Sequence, residues 1–124
     1  MARKVIPKET REKVYNKYEG HCAYCGCKLE YKDMQVDHIE SVRIAELKGK
    51  EIDNSLNNLM PSCRQCNFYK GTSSIDQFRK NITKTLLPNL QKNFNYRLAL
   101  KYGLIKENIK PVLFYYELKY FKQD

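Results

Sequence analysis

Two cysteine-containing stretches decide the fold. Residues 57–71 read Asn-Asn-Leu-Met-Pro-Ser-Cys-Arg-Gln-Cys-Asn-Phe-Tyr-Lys-Gly, and residues 22–25 read Cys-Ala-Tyr-Cys. Each stretch contains a C-x-x-C pair, and two such pairs supply the four thiolates of a tetrahedral structural zinc site. We therefore predict that Zn²⁺ is bound by four thiolates: Cys22, Cys25, Cys63 and Cys66.

The spacing of the pairs indicates a subdomain between them. Residues 26–62 separate the pairs, more than the roughly 15 to 20 residues of a compact zinc ribbon. Cys27 is an alternative to Cys25 as a ligand, and His21 is a weaker one. The five cysteines are an odd number and no export signal precedes them, which disfavours a disulfide framework. Buried free cysteines or a redox pair are the alternative to a metal site.

Composition excludes several classes of protein. The 124 residues are enough for one folded domain, and 42% of them are hydrophobic. No apolar stretch approaches the ~20 residues of a membrane span, so we expect a cytoplasmic protein without membrane contact. Residues 1–60 carry 11 Lys/Arg against 10 Asp/Glu, whereas residues 61–124 carry 12 against 4. This asymmetry predicts a polyanionic partner, most simply nucleic acid.

Local patterns predict an α+β protein with short elements. Pro7 and Gly20 bound a helix over residues 8–18, and Met34–Ile39 suits a strand. Further helices are predicted as a turn at 44–47, a helix over 64–70, one that begins after Ser74, and one from Pro88 that carries Leu90, Phe94, Leu98 and Tyr102 on one face and ends at Gly103. Alternating apolar residues predict a C-terminal strand over residues 112–121.

The motifs between and around the cysteine pairs resemble one family. Val36-Asp37-His38-Ile39 lies between the pairs, Asn58-Leu59 precedes the second pair, and Asn67 and Lys70-Gly71 follow it. In this joint order the chain resembles the zinc-clamped HNH endonucleases that have Asn as the third signature residue. The resemblance covers about residues 7–80. It implies a ββα-metal core of the His-Me finger type, clamped by the four-cysteine zinc site and flanked by helices, within a single domain 1–124 whose residues 81–124 form a basic accessory segment.

Hydrolysis of a phosphodiester bond explains this combination of residues. The reaction needs a base to deprotonate water and positive charge to stabilise the transition state. Histidine titrates near neutrality, and the resemblance assigns the base to His38 and its orientation to Asn58, with Asn57 as a neighbouring competitor. It also assigns Asp37 and Asn67 to a catalytic Mg²⁺ or Mn²⁺. Since side chains alternate along a strand, a bend or bulge is expected where Asp37 and His38 meet one phosphate.

The resemblance implies a DNA endonuclease that leaves 5′-phosphate and 3′-hydroxyl ends. Such proteins occur as monomers or homodimers in bacterial cells, including phage and mobile-element proteins. Candidate DNA contacts are Arg43, Arg64, Lys70, Arg79 and Lys80, although Lys70 is equally interpreted as a solvated lysine. The loop after Ile39 is longer and poorer in glycine than in many members. The alternative function is a non-catalytic, zinc-stabilised nucleic-acid-binding module.

Overall fold

A short antiparallel hairpin and the helix that follows it form the centre of the N-terminal part of the protein. The structure is a computed structural model that describes residues 6–122. Strand β1, Gln35–His38, pairs with strand β2, Leu59–Ser62. The pairing continues without a bulge to the last pair, His38 opposite Leu59. Helix α3, Arg64–Lys70, begins directly after β2. The predicted α+β class and the ββα order are confirmed.

The chain divides into two compact units. The first contains the described residues up to Ser74 and those from Leu113 onward, and the second contains Ile75–Val112. The first break between the units lies after Ser74, and the single domain with a nuclease core that ends near residue 80 stays a prediction. Residues 75–80 belong to the second unit, and residues 113–122 belong to the first.

Two further helices complete the N-terminal part of the first unit. Helix α1, Lys8–Lys17, follows Pro7, and its Lys17 ammonium donates hydrogen bonds to the Leu56 and Leu59 carbonyls at 2.8 and 2.9 Å. Helix α2, Val42–Leu47, lies between the two strands in sequence and is capped by Ser41, which accepts the Ile44 N–H at 3.1 Å. Both helices are where the sequence predicts them. The buried apolar residues of this unit include Val14, Met34, Leu59 and Phe114.

The second unit is helical. Helix α4, Ile75–Asn81, continues through a π-helical segment, Ile82–Leu86, into α5, Leu87–Gln91, and α6 spans Phe94–Lys101. The single helix predicted from Pro88 to Tyr102 is therefore wrong. Asn93 breaks it, because its backbone is extended and its side chain accepts the Tyr96 N–H at 3.1 Å, as an N-cap does. No helix in the described residues is long and apolar enough to cross a membrane.

The predicted C-terminal strand is also wrong. Residues Tyr115–Lys122 form helix α7. The Glu117 carboxylate accepts the Phe114 N–H at 2.9 Å, which is one half of a capping box, and the Leu118 N–H donates to the Phe114 carbonyl at 3.2 Å. Phe114 and Leu118 satisfy a helical spacing as well as an alternating one, so the apolar pattern alone could not distinguish the two structures.

Candidate active site and metal centre

Four cysteines from the two C-x-x-C pairs come together. The Sγ atoms of Cys22, Cys25, Cys63 and Cys66 all lie within 4.8 Å of one another, and those of Cys25 and Cys63 are 3.8 Å apart. A zinc ion with Zn–S bonds of about 2.3 Å requires sulfur atoms separated by about 3.8 Å. The cluster can therefore hold a metal such as zinc. It contains neither of the alternative ligands, Cys27 and His21.

Backbone hydrogen bonds shape both cysteine turns. The Tyr24 N–H donates to Cys22 Sγ and the Cys66 N–H donates to Cys63 Sγ, each at 3.4 Å. The first turn is attached to β2 by the Ala23 N–H, which donates to the Pro61 carbonyl at 2.8 Å. The second turn is the N-terminus of α3 itself, with Cys63 as the N-cap. The cluster thus joins the first turn to the start of α3.

Gly26 is required in the first cysteine turn. Its φ of +81° is unfavourable for residues with a side chain. A Cβ atom there would also lie 2.7 Å from the ring of Tyr115. The same turn receives the C-terminal segment, since the Tyr115 and Tyr116 N–H groups donate to the Tyr24 and Ala23 carbonyls at 2.9 Å.

The cysteine cluster favours one thiolate before any metal binds. A hydrogen bond from the Cys66 thiol lowers the pKa of Cys22 to about 4, and the same bond raises the pKa of Cys66. Burial raises the pKa of Cys25. Because metals bind thiolates and not thiols, the lowered pKa of Cys22 suits it to a role as a metal ligand.

A cavity of about 510 Å³ lies beside the hairpin. It brings together residues from β1, α2 and α3, namely Gln35, Val36, Asp37, His38, Ser41, Val42, Arg43, Glu46, Asn67, Gly71 and Thr72. Asp37 and His38 of β1 and Asn67 of α3 therefore line one space. The pairing of β1 with β2 contains no bulge at Asp37 or His38.

Asp37 is buried and held by two donors on one oxygen. Its Oδ2 accepts hydrogen bonds from the Tyr24 hydroxyl at 2.5 Å and from the Lys70 ammonium at 3.0 Å. Burial and the Asp37 carboxylate raise the pKa of Tyr24 well above its ordinary value, so that its hydroxyl stays a donor. Oδ1 of Asp37 makes no hydrogen bond within the described residues and is the oxygen left for a ligand.

Lys70 does not lie where a DNA phosphate could reach it. The residue is only 1% exposed, and its ammonium also donates to the His38 carbonyl at 3.1 Å. The expected phosphate contact of Lys70, and its alternative as a solvated lysine, are both wrong. The reason is that Lys70 lies on the buried side of α3, where it neutralises Asp37.

The His38 ring is oriented by Asn54. Nε2 of His38 lies 2.7 Å from Oδ1 of Asn54. Because a carbonyl oxygen only accepts hydrogen bonds, Nε2 carries the proton and Nδ1 carries the lone pair of the neutral ring. Asn54 lies in the run Asp53-Asn-Ser, which predicts a loop and gives no signal of this role.

Asn58 does not contact the His38 ring, so the hydrogen bond expected between them is wrong. Its Oδ1 accepts the Glu40 N–H at 2.9 Å, and its Nδ2 donates to the Asp53 carbonyl at 2.8 Å. These bonds join the two ends of the segment that connects β1 to β2. Asn58 therefore fixes the loop that carries Asn54, and it is 8% exposed.

The remaining candidates differ in their position. Asn67 lines the cavity from α3, and its side chain makes no hydrogen bond within the described residues. Arg43 lines it from α2, as does Glu46, a residue to which no sequence motif points. Arg64 is exposed on α3, whereas Arg79 and Lys80 belong to α4 of the second unit. The Arg79 guanidinium donates to the Val112 carbonyl at 2.6 Å.

Comparison with known proteins agrees with this geometry. Residues 22–73 match the family model described as HNH endonuclease. No curated protein matches the chain. The matched segment begins at the first cysteine of the cluster and includes β1, β2, α3 and every residue that lines the cavity. Residues 22–73 of this chain are therefore similar to the HNH endonuclease family.

Proposed function

We propose that the chain is a divalent-metal-dependent DNA endonuclease and that the cavity beside the hairpin is its active site. One observation carries this proposal: Asp37, His38 and Asn67 line the same cavity. Each also has a side-chain polar atom that forms no hydrogen bond with any described residue. A purely structural polar cluster satisfies its members internally, whereas these three are left available to a substrate and an ion.

His38 is the general base in this proposal. The hydrogen bond to Asn54 protonates Nε2, so the neutral ring offers Nδ1 to accept the proton of an attacking water. The hydroxide equivalent then attacks the phosphorus atom in line with the leaving 3′ oxygen. The products are a 5′-phosphate and a 3′-hydroxyl.

The oxygen donors in the cavity fit a small hard cation. Oδ1 of Asp37 and the side-chain carbonyl of Asn67 are the ligand types that Mg²⁺ and Mn²⁺ bind, and two protein ligands leave positions for water and phosphate oxygens. When bound, the cation would supply positive charge to the transition state and to the leaving oxygen. Lys70 and Tyr24 keep Oδ2 occupied and so leave Oδ1 as the carboxylate oxygen available to a cation. Arg43 supplies a further positive charge at the cavity for a phosphate oxygen.

The cysteine cluster is proposed to hold a structural zinc that positions the site. Cys63 is the N-cap of α3 and Asn67 lies one turn later on the same helix. A metal that fixes the start of α3 therefore fixes the direction of the Asn67 side chain. Four cysteine ligands leave no open position, which is typical of structural and not catalytic zinc.

A non-catalytic nucleic-acid-binding module is the second candidate. It is favoured by the second unit, Ile75–Val112, which contains eight Lys/Arg and two Asp/Glu. Such a module has no use for a histidine of defined tautomer beside an unpaired carboxylate oxygen. DNA binding by the second unit is compatible with catalysis by the first.

Plasmid relaxation separates the two functions. Zinc-loaded protein is incubated with supercoiled plasmid, with and without added Mg²⁺ or Mn²⁺, and the zinc content is measured throughout. We expect nicking only with the added ion, and a loss of nicking in Asp37→Asn but not in the exposed control Asp33→Asn. DNA binding without nicking under every condition would instead support the binding module.

A further inference from the structure

Helix α3 exposes a large apolar side chain to solvent next to a residue that lines the cavity. Phe68 follows Asn67 on α3 and is 87% exposed. It adds nothing to the core, because its ring is almost as accessible as in an unfolded chain. A single exposed apolar residue is common on protein surfaces. Phe68 is notable because it lies next to residues that line the cavity.

The helical geometry places Phe68 at the rim of the proposed active site. Successive residues of an α-helix are rotated by about 100°. Arg64, Asn67, Phe68 and Gly71 therefore lie within an arc of about 100° on one face of α3. Asn67 and Gly71 line the cavity, so the surface formed by Arg64 and Phe68 continues from it.

Contacts on the opposite face of α3 keep the helix from rotating about its axis, so Phe68 cannot move into the core. That face carries the buried Lys70, bonded to Asp37, and Cys66 of the metal cluster. Both groups are anchored to other elements of the first unit. The exposed ring of Phe68 is consequently presented from a fixed helix, as a recognition residue requires.

The charges beside Phe68 fit an anionic partner. The guanidinium groups of Arg64 and Arg43 form no hydrogen bond or ion pair with any residue in the described part of the chain. This combination matches the chemistry of a nucleotide. The two unpaired guanidinium groups suit its charged phosphates, and the apolar ring suits its flat base. Base stacking on an aromatic side chain is worth about 1–3 kcal/mol per base and is independent of sequence.

We propose that Phe68 stacks on a base next to the phosphodiester held in the cavity, while Arg64 contacts a neighbouring phosphate. This inference rests on the proposed endonuclease function and specifies its substrate class. A base in an intact duplex is covered on both faces. The preferred substrate is therefore DNA with an unpaired or readily unstacked nucleotide at the cleavage site.

Fluorescence and affinity measurements test the proposal without requiring cleavage. In the His38→Ala background, single-stranded and duplex oligonucleotides containing 2-aminopurine are titrated with protein. We expect quenching of 2-aminopurine in the single strand, and Phe68→Ala should remove it and weaken binding about 5- to 150-fold, the equivalent of the stacking energy above. Phe68→Tyr should restore both. Leu47→Ala, at a residue 69% exposed on α2, is the matched control and should change neither.

Several outcomes would overturn the stacking role. Unchanged affinity and quenching in Phe68→Ala would do so, as would equal losses for the single strand and the duplex. A loss of self-association in Phe68→Ala, with DNA binding intact, would assign the ring to an interface between two copies. If Phe68 governs binding but the wild type never cleaves DNA, the endonuclease proposal fails while the stacking contact stands.

Discussion

The ammonium of Lys70 lies 3.0 Å from Oδ2 of Asp37, and the two side chains are 0% and 8% exposed. A charge buried this deeply is tolerated because its partner is buried beside it. The pair occupies Oδ2 and leaves the second carboxylate oxygen without a hydrogen bond from any described residue. The same interaction therefore contributes to the stability of the hairpin and to the geometry of the proposed metal site.

Removal of Lys70 alone should destabilise the protein strongly. Lys70→Met leaves the Asp37 carboxylate buried without its cation, which typically costs about 3–5 kcal/mol in the free energy of unfolding. Adding Asp37→Asn to this variant should recover much of the loss, because no buried charge remains. Chemical denaturation gives the free energy of unfolding of the wild type, of Lys70→Met and of the double variant. The exposed Lys13→Met serves as the control, with an expected change of at most about 1 kcal/mol. Equal stability of Lys70→Met and wild type would show that the buried pair is not formed.

The stability of the protein should fall at alkaline pH through Tyr24. Burial and the Asp37 carboxylate raise the pKa of Tyr24 above the ordinary value of 10.0. Above pH 10 the unfolded chain releases this proton and the folded chain retains it. The free energy of unfolding therefore decreases as pH rises, by about 1.4 kcal/mol per pH unit for this group. Tyr24→Phe should remove that part of the slope, whereas Tyr102→Phe, at a residue 75% exposed, should keep it. Parallel slopes for Tyr24→Phe and wild type would contradict this.

Asn54 should act on the reaction through His38. Asn54→Ala removes the hydrogen bond that fixes the tautomer, and we expect kcat to fall about 10- to 100-fold, the usual range for partners that orient a functional histidine. Asn54→Asp places a carboxylate beside Nε2 and favours the protonated ring, so the acid limb of the pH–rate profile should move to higher pH. Asn57→Asp is the matched control, since Asn57 is exposed and does not contact the ring. An unshifted profile in Asn54→Asp would remove Asn54 from the mechanism.

The four cysteines should be required for folding as well as activity. Structural zinc contributes its binding free energy to folding, so Cys63→Ser should lose bound zinc and lower the melting temperature. Cys27→Ser should retain both, because Cys27 lies outside the cluster. Metal analysis of the purified variants together with thermal unfolding provides the measurement. A stably folded, zinc-free Cys63→Ser variant would refute the structural role.

Local sequence patterns predicted the central elements but not the contacts between side chains. The C-x-x-C spacing identified the four clustered cysteines, because metal ligands must recur at short fixed intervals. Strand β1 and helix α3 followed from strand and helix patterns that involve neighbouring residues, whereas the hairpin was implied only by the family resemblance. Asn54 and His38 are sixteen residues apart, and their contact depends on the path of the loop that Asn58 fixes. No local pattern carries that information.

The two incorrect elements and the misplaced lysine have a related cause. At Phe114 and Asn93 the apolar pattern allowed another structure, and hydrogen bonds from a backbone N–H to a capping side chain determined where the helix starts. At Lys70 the position on a helix predicted a phosphate contact or a solvated side chain, but the burial of Lys70 depends on a carboxylate in another element. Capping and long-range charge pairing are thus the terms that hydrophobic patterning does not contain.

The most direct test is the single-turnover rate at which the zinc-loaded protein nicks supercoiled DNA in saturating Mn²⁺, compared between His38→Ala and His21→Ala. These are the two histidines of the chain, and only His38 lines the cavity. We predict that His38→Ala lowers the rate by a factor of at least about 100, as expected for loss of a general base, while His21→Ala retains it. Equal rates in the two variants would contradict the assignment of DNA hydrolysis to this site.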